Sequence, residues 1–270
     1  DDAACPAACQ FNCSCGSILP LDKAQSTCVA KVLTAAQKSV AAQTKAVSKC
    51  VKDFGSGKTL TGPVACAGSD ASGKIAIAQA AVGSAVVAYC APFPYAIDCP
   101  VPCDATDVGG VSEAVDDDAE LRSCLLCLDE AAVVGQSYAG LGRGFLHRVV
   151  GTTTLATKTS DAGLAKCQSV LIKDLSKIFS ASVKATTACV GAAVLLDAPP
   201  PVSCRGADPK GKIQKAVLKV QDLLTAQCTG DMFSAGDCAG LTGAVLFDCV
   251  GVRFECEYCK WANAVLGSSA

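Results

Sequence analysis

The sequence predicts an all-α protein with two tandem repeat units, each a disulfide-stapled helical hairpin or three-helix unit, after a cysteine-rich N-terminal arm. Three observations support this fold class: a repeated cysteine spacing, long apolar rows at helical spacing, and similar sequence around both copies of the cysteine pattern. The 270 residues include 20 cysteines and one histidine. An even number of cysteines at repeated spacings is typical of a disulfide framework formed in an oxidising compartment.

The cysteine pattern divides the chain. Its first copy is Cys28, Cys50, Cys66 and Cys90, its second is Cys167, Cys189, Cys204 and Cys228, and each copy later reaches a Cys-x-x-Cys pair, Cys124/Cys127 or Cys256/Cys259. The gaps are 22, 16 and 24 residues in the first copy and 22, 15 and 24 in the second. A repeat of this size predicts two copies of one structural unit. We therefore expect an arm over 1–15, units over 16–140 and 164–270, and a linker over 141–163.

The long segment at the start of each unit has the apolar spacing of a helix. In 22–54, one face is formed by Val29, Val32, Leu33, Ala36, Val40, Val47, Val51 and Phe54, and the other side is filled by Lys31, Lys38, Lys45, Lys49 and Gln43. The second unit repeats the apolar face with Val170, Leu171, Leu175, Ile178, Phe179 and Val183. We expect Asp22 to cap the first helix and Gly55 to end it. The next helix is expected to begin near Asp70 in the first unit and near Asp208 in the second.

Helix length decides which cysteines can pair. Cys28 and Cys50 are 22 residues apart, about 33 Å along a continuous helix, so they cannot bond to each other. If the next helix returns antiparallel, Cys90 comes beside Cys28 and Cys66 comes beside Cys50. This geometry predicts the bonds Cys28–Cys90 and Cys50–Cys66, and their equivalents are Cys167–Cys228 and Cys189–Cys204.

The two Cys-x-x-Cys pairs have the spacing of a redox motif, but they lie in apolar helical sequence with no strand pattern before them. Sulfurs at i and i+3 share one helix face, so each can bond to a different loop. We expect such bonds from Cys124 and Cys127 to Cys99 or Cys103, and from Cys256 and Cys259 to Cys238 or Cys249. Redox catalysis is the alternative. Covalent haem attachment is excluded, because no histidine follows either pair.

Three further groups of residues have both a functional and a structural interpretation. The sequence GSGKT at 55–59 resembles the end of a phosphate-binding loop, but Lys52 stands where that loop requires glycine, so we expect a turn. The carboxylates of Asp116, Asp117, Asp118 and Glu120 can bind calcium, or they can complement the dipole at the start of the Cys124 helix. His147, the single histidine, has no predicted catalytic neighbour.

Composition bears on location and partners. The chain has a net charge of −2, 51% hydrophobic residues, 18% charged residues and a mean hydropathy of +0.38. The net charge gives no reason to expect a nucleic-acid partner, no apolar run is long enough for a membrane span, and the cysteine gaps are too long for a structural metal site. The apolar excess favours packing between copies of the chain. A first residue other than methionine fits a mature secreted protein, so we expect an extracellular or cell-surface location.

Two copies of Gly-Lys-Ile-x-x-Ala, at Gly73–Ala78 and Gly211–Ala216, accompany the 22-residue cysteine gap and the CLLCLDEAAV segment at 124–133. This combination resembles a group of cysteine-rich, tandem-repeat secreted bacterial proteins of unknown function. The resemblance covers most of 28–135 and 167–265. It implies secretion and a helical, disulfide-stapled fold, and it assigns no functional residue.

The expected function is structural. We expect a self-assembling subunit of a surface filament, sheath or layer, with itself as partner, no enzymatic activity and no cofactor. The alternative is a secreted binding module for a carbohydrate or a surface protein. The arm cysteines, Cys5, Cys9, Cys13 and Cys15, form either a self-contained knot or a contact that docks on, or crosslinks to, a neighbouring copy.

Overall fold

The computed structural model describes residues 23–58, 70, 72–91, 97–99, 113–115, 117–133, 156–195, 208, 210–228, 240–241 and 244–249. Most of these residues are helical, which confirms the predicted helical character of this part of the chain. The helices are α1 (Lys23–Gly55), α2 (Lys74–Tyr89), α3 (Asp118–Val133), α4 (Ala162–Leu195), α5 (Lys212–Gln227) and a short segment at 244–249. Two short strands, β1 (Ile97–Cys99) and β2 (Glu113–Val115), lie between α2 and α3.

Helix α1 has the buried apolar face that its sequence predicts. The buried members are Val29, Val32, Leu33, Ala36, Val40, Val47 and Val51, and Phe54 is half-buried. The expectation that Gln43 faces outward was wrong, because its side chain is 4% exposed and its Nε2 donates to Oγ of Ser39 at 3.4 Å. Position 43 lies one turn before Val47, so it falls on the packed side of the helix. The helix ends at Gly55, as predicted.

Helices α1 and α4 lie at the centre of the described helices, and α1 makes its most extensive contact with α4. The carboxyl end of α1 meets the amino end of α4. The backbone N–H of Lys158 donates to the carbonyl oxygen of Gly55 at 2.9 Å, and a Cβ built at Gly55 would lie 3.7 Å from Cβ of Ala165. The two long helices therefore pack antiparallel.

The remaining helices flank this pair. Helix α2 packs against α1, helix α5 packs against α4, and α3 packs against both α1 and α2. The order across the helices is therefore α5, α4, α1, α2, which leaves α2 and α5 in outer positions. Leu33, Val86, Leu125, Phe179 and Leu224 belong to one hydrophobic core, which therefore includes a side chain from each of the five long helices.

Two disulfides close the helical hairpins. Cys28 of α1 is bonded to Cys90 after α2, and Cys167 of α4 is bonded to Cys228 after α5, with Cα–Cα distances of 4.9 and 5.3 Å. These are two of the bonds that helix length predicts, and all four cysteines are buried. Cys50 and Cys189 are also disulfide-bonded. Their predicted partners, Cys66 and Cys204, lie outside the described residues.

A two-stranded antiparallel ribbon departs from the all-α prediction. Its pairs are Ile97 with Val115, Asp98 with Ala114 and Cys99 with Glu113. Cys99 is bonded to Cys124 of α3, so a disulfide ties the ribbon to that helix. The sequence does not predict these strands, because an alternation of apolar and polar residues is recognisable only over runs longer than three residues.

The end of the predicted linker, 141–163, is part of the packed structure. Ala156 is buried, and its backbone N–H donates to Oε1 of Gln168 on α4 at 2.9 Å. The Oδ1 atom of Asp161 accepts from the N–H of Leu164 at 2.9 Å. This N-cap starts α4 at Ala162, inside the predicted linker. The rest of the linker, 141–155, and the arm, 1–15, lie outside the described residues.

Candidate interaction surfaces

Both outer helices begin with the same turn. The N–H of Gly73 donates to the carbonyl oxygen of Asp70 at 2.9 Å, and the N–H of Gly211 donates to that of Asp208 at 3.0 Å. Gly73 and Gly211 have φ values of 63° and 58°, a left-handed conformation that glycine adopts at least cost. Each helix starts directly after its glycine, four residues beyond the aspartate near which it was expected to begin.

The two aspartates bind the amides at the helix starts. Asp70 Oδ2 accepts from Ala76 N–H at 3.0 Å, and Asp208 Oδ1 and Oδ2 accept from Lys212 and Gln214 at 2.8 and 2.9 Å. The Ala76 amide has the largest effect in lowering the pKa of Asp70. Desolvation raises the pKa of Asp208, but the amides at the start of α5 together lower it more. Carboxylates of the chain itself therefore occupy both helix N-termini, where an external anion would otherwise bind.

Helix α2 exposes a face without charge. We define the α2 face as Ala76, Ile77, Ala80, Ser84, Val87 and Ala88, all exposed. Ile77 is 71% exposed and Val87 is 66% exposed. The other four members recur every four residues and form a ridge of small side chains on one side of the helix. A helix that is apolar on all sides is typical of a buried position, yet this one borders solvent in the single chain.

The corresponding face of α5 carries charged residues. When the two helices are aligned on Gly73 and Gly211, small or apolar residues of α2 correspond to longer polar or charged residues of α5 at four positions: Ala76 corresponds to Gln214, Ile77 to Lys215, Ala81 to Lys219 and Ser84 to Asp222. At a fifth position, Ala80 corresponds to Leu218, which is apolar and 52% exposed. Charged and apolar side chains of this face, Leu218 among them, line a shallow depression of about 390 Å³. A helix in this position therefore does not need an apolar outer side. The sequence signal that reveals the α2 face is the difference between the residues of 74–89 and those at the aligned positions of 212–227.

Lysine dominates the solvent side of α1. The exposed residues of this helix are Lys23, Ala24, Lys31, Thr34, Lys38, Lys45, Lys49 and Lys52. Four of them, Lys31, Lys38, Lys45 and Lys52, follow one another at intervals of seven residues, and we call them the α1 lysine row. The Nζ atom of Lys31 lies 5.2 Å from the ring centroid of Tyr89, a cation–π distance.

The acidic cluster and the glycine-rich turn both have structural roles. Oδ1 of Asp117 accepts from the N–H groups of Ala119 and Glu120, each at 2.8 Å, so Asp117 caps α3. Asp116 lies outside the described residues. In the GSGKT segment, the N–H of Gly57 donates to the carbonyl oxygen of Phe54 at 2.8 Å. Residues 55–58 therefore form the turn that the sequence predicts, and Thr59 lies outside the described residues.

The first Cys-x-x-Cys pair is not bonded within itself. Cys124 is bonded to Cys99, which is one of the two partners expected for it. Cys127 and Cys249 are also disulfide-bonded. A thioredoxin-like motif alternates between a dithiol and a bond within the motif. The bond to Cys99 gives Cys124 the structural role instead.

Several predicted site residues lie outside the described part of the chain. They are the arm cysteines Cys5, Cys9, Cys13 and Cys15, the bridging candidates Cys66, Cys103, Cys204, Cys238, Cys256 and Cys259, and His147. Their proposed roles stay predictions.

The described residues contain neither a candidate metal site nor a candidate membrane span. Within the described ranges, no group of three or more His, Cys, Asp or Glu side chains is placed to hold a metal ion. None of the helices in this part of the chain combines the length and the apolar character needed to cross a membrane. No protein family, curated protein or solved structure matches the chain.

Proposed function

We propose that the protein is an extracellular structural protein that associates with further copies of itself through the α2 face. The observation that carries this proposal is the contrast between the two outer helices. The hairpin fold accommodates Lys215 and Asp222 on the outer side of α5, whereas Ile77 and Ser84 occupy these positions on α2. An exposed apolar patch on an outer helix is typical of a protein contact.

A second copy is the occupant that suits this face. The α2 face has no charge to be paired, and a partner of opposite charge would gain nothing from it. Two α2 faces related by a twofold axis bring apolar side chains together, and the ridge of Ala76, Ala80, Ser84 and Ala88 lets two helices approach closely. Small side chains also leave little rotamer entropy to lose on contact.

The disulfides support an extracellular, structural role. The bonds Cys28–Cys90, Cys99–Cys124 and Cys167–Cys228 form in an oxidising compartment. They fix the helical hairpins before any copies meet, so association costs little further ordering of the fold.

A twofold contact alone gives pairs. We propose that the N-terminal arm provides the second contact that extends pairs into a filament, sheath or layer.

The residues of α5 suggest the variant that tests the α2 contact. The double variant Ile77→Lys with Ser84→Asp gives α2 the side chains that α5 carries at the same positions. We expect sedimentation velocity at increasing concentration to show association of the native protein and at least about tenfold weaker association of the variant, because a buried charge at the contact is costly. The control is Leu218→Ala on α5, which we expect to associate like the native protein.

Two results would count against the proposal. A native protein that stays monomeric at the highest concentration has no such contact. A double variant that associates as strongly as the native protein places the contact elsewhere. Gel electrophoresis of native material with and without reductant tests the arm separately, because a reducible ladder requires disulfides between chains.

A further inference from the structure

We propose that the α1 lysine row binds a linear anionic polysaccharide. This inference is independent of self-association, because the row and the α2 face are different surfaces. It rests on the spacing, the sign and the exposure of the lysines of α1, and on a similar arrangement on α4.

The row forms a slowly winding line of charge on a rigid support, since a seven-residue spacing drifts by about 20° per step around an α-helix. Lys31 and Lys52 are 21 residues apart, which is about 32 Å along the helix axis, with one ammonium group about every 10 Å. The neighbouring positions Val32, Val40 and Val47 are buried, so the backbone below the row is held by the core. Only the flexible ends of the lysines are free to follow a ligand.

The charge on the solvent side of α1 is mostly positive. The single acidic residue of α1 is Asp53, which is paired with Lys49, and Lys52 at the end of the row also acts on it electrostatically. The hydrogen bond from Lys49 is the largest of the effects that lower the pKa of Asp53. Among the described residues, Lys38, Lys45 and Lys52 form no ion pair. Soluble surfaces usually intersperse both signs of charge, so a row of four lysines whose only acidic neighbour on α1 is Asp53, at one end, is an unusual local field.

Helix α4 has a comparable set of lysines. Its exposed lysines are Lys166, Lys173, Lys177 and Lys184. Its single acidic residue, Asp174, is 4% exposed and is paired with Lys177. The two central helices therefore both direct positive charge to solvent, although the whole chain has a net charge of −2.

The spacing and the side-chain types favour a polysaccharide over a nucleic acid. Each strand of a DNA duplex carries one phosphate about every 3.4 Å along the helix axis, whereas uronic acids and sulfated sugars carry their charges on separate rings. The exposed residues of α1 include no arginine for paired contacts to phosphate or guanine, and the aromatic ring beside the row, that of Tyr89, is already in contact with Lys31. Lysine presents a point charge that suits carboxylate and sulfate groups without requiring paired geometry.

The test uses the full chain and matched charge changes. The row variant is Lys38→Gln, Lys45→Gln and Lys52→Gln, and the control is Lys212→Gln, Lys215→Gln and Lys219→Gln on α5. Both remove three exposed positive charges. The probes are polygalacturonate and dextran sulfate, with uncharged dextran as the matched neutral polymer, and binding is measured by calorimetry at low and at high ionic strength.

The native protein should bind both anionic polymers, bind them more weakly as salt is added, and ignore uncharged dextran. The row variant should bind at least roughly tenfold more weakly, since each lysine near an anionic surface contributes a several-fold factor, while the α5 control keeps its affinity. Equal melting temperatures of the three proteins would show that the change is not a folding defect. The single variants Lys38→Gln and Lys45→Gln should each show a smaller loss.

Three results would overturn the inference. The first is no binding of either anionic polymer at low salt. The second is an equal loss in the α5 control, which would mean that net charge and not the row sets the affinity. The third is tighter binding of an oligothymidylate than of the polysaccharides at the same ionic strength, which would assign the row to nucleic acid.

Discussion

Removing the bond between Cys28 and Cys90 tests how much of the stability of the first hairpin comes from its crosslink. The change is the double variant Cys28→Ala with Cys90→Ala, which leaves no unpaired thiol from this bond to exchange with other disulfides. The bond closes a loop with a sequence separation of 62 residues. Without it, the unfolded chain gains the conformational entropy of that loop, so unfolding becomes more favourable.

The loop length sets the size of the effect. For a separation of 62 residues, the chain-entropy relation gives about 4 kcal/mol at 25 °C. The bond between Cys167 and Cys228 has a separation of 61 residues and gives the same value, about 4 kcal/mol. For Cys99–Cys124, with a separation of 25 residues, the relation gives about 3.5 kcal/mol. We therefore expect equal losses for the two hairpin bonds and a slightly smaller loss for the ribbon bond.

Urea denaturation separates this effect from a loss of packing. If the bond acts on the unfolded chain, the double variant should lose about 4 kcal/mol and show a larger dependence of the unfolding free energy on urea, because its unfolded state exposes more surface. The variant lacking Cys167 and Cys228 should behave in the same way. A loss below about 1 kcal/mol with an unchanged urea dependence would refute the argument from loop length.

Three further predictions concern the core, the turns and the helix starts. Leu33→Ala should destabilise the protein by about 3 kcal/mol in urea denaturation, because Leu33 is fully buried, whereas Leu218→Ala on the surface of α5 should cost less than about 1 kcal/mol. Gly211→Ala should cost about 1–2 kcal/mol because of its positive φ, while Gly191→Ala inside α4 should stabilise by up to about 1 kcal/mol, since nothing within 4 Å meets the added Cβ. Asp208→Asn should destabilise at neutral pH, and melting temperatures measured at decreasing pH should show the gap to the native protein closing below pH 3.8. The sign follows from the lowered pKa of Asp208, whose stabilising effect is present above its unfolded value of 3.8 and is lost as the folded carboxylate is protonated; a gap that persists unchanged at the lowest pH would contradict it.

The parts of the fold that helix geometry controls could be predicted from the sequence. One unbroken helix cannot bring Cys28 and Cys50 together, so the return of the next helix determines the partner of Cys28. The buried face of α1 follows from its periodicity in the same way. Polarity alone is misleading for Gln43, because its position one turn before Val47 places it on the packed side.

The candidate surfaces could be predicted only in part. The apolar residues of α2 surround the helix, so periodicity does not reveal which side faces outward, and only the packing against α1 and α3 identifies the exposed face. The sequence indicates that α2 begins near Asp70 but does not identify its first residue, because the positive φ of Gly73 leaves no trace in the apolar pattern. The bond between Cys99 and Cys124 was one of the expected pairings, but the short ribbon that holds Cys99 was not predicted.

The two hairpin bonds also determine how the chain responds to a pulling force. A force applied to the chain ends passes from Cys28 to Cys90 through two sulfur atoms, and it bypasses nearly all of α1 and the whole of α2. The bond between Cys167 and Cys228 bypasses most of α4 and the whole of α5 in the same way. Since an extended residue spans about 3.3–3.6 Å, each loop withholds roughly 200 Å of chain from extension. The oxidised protein therefore resists stretching, and a reductant converts it into an extensible chain.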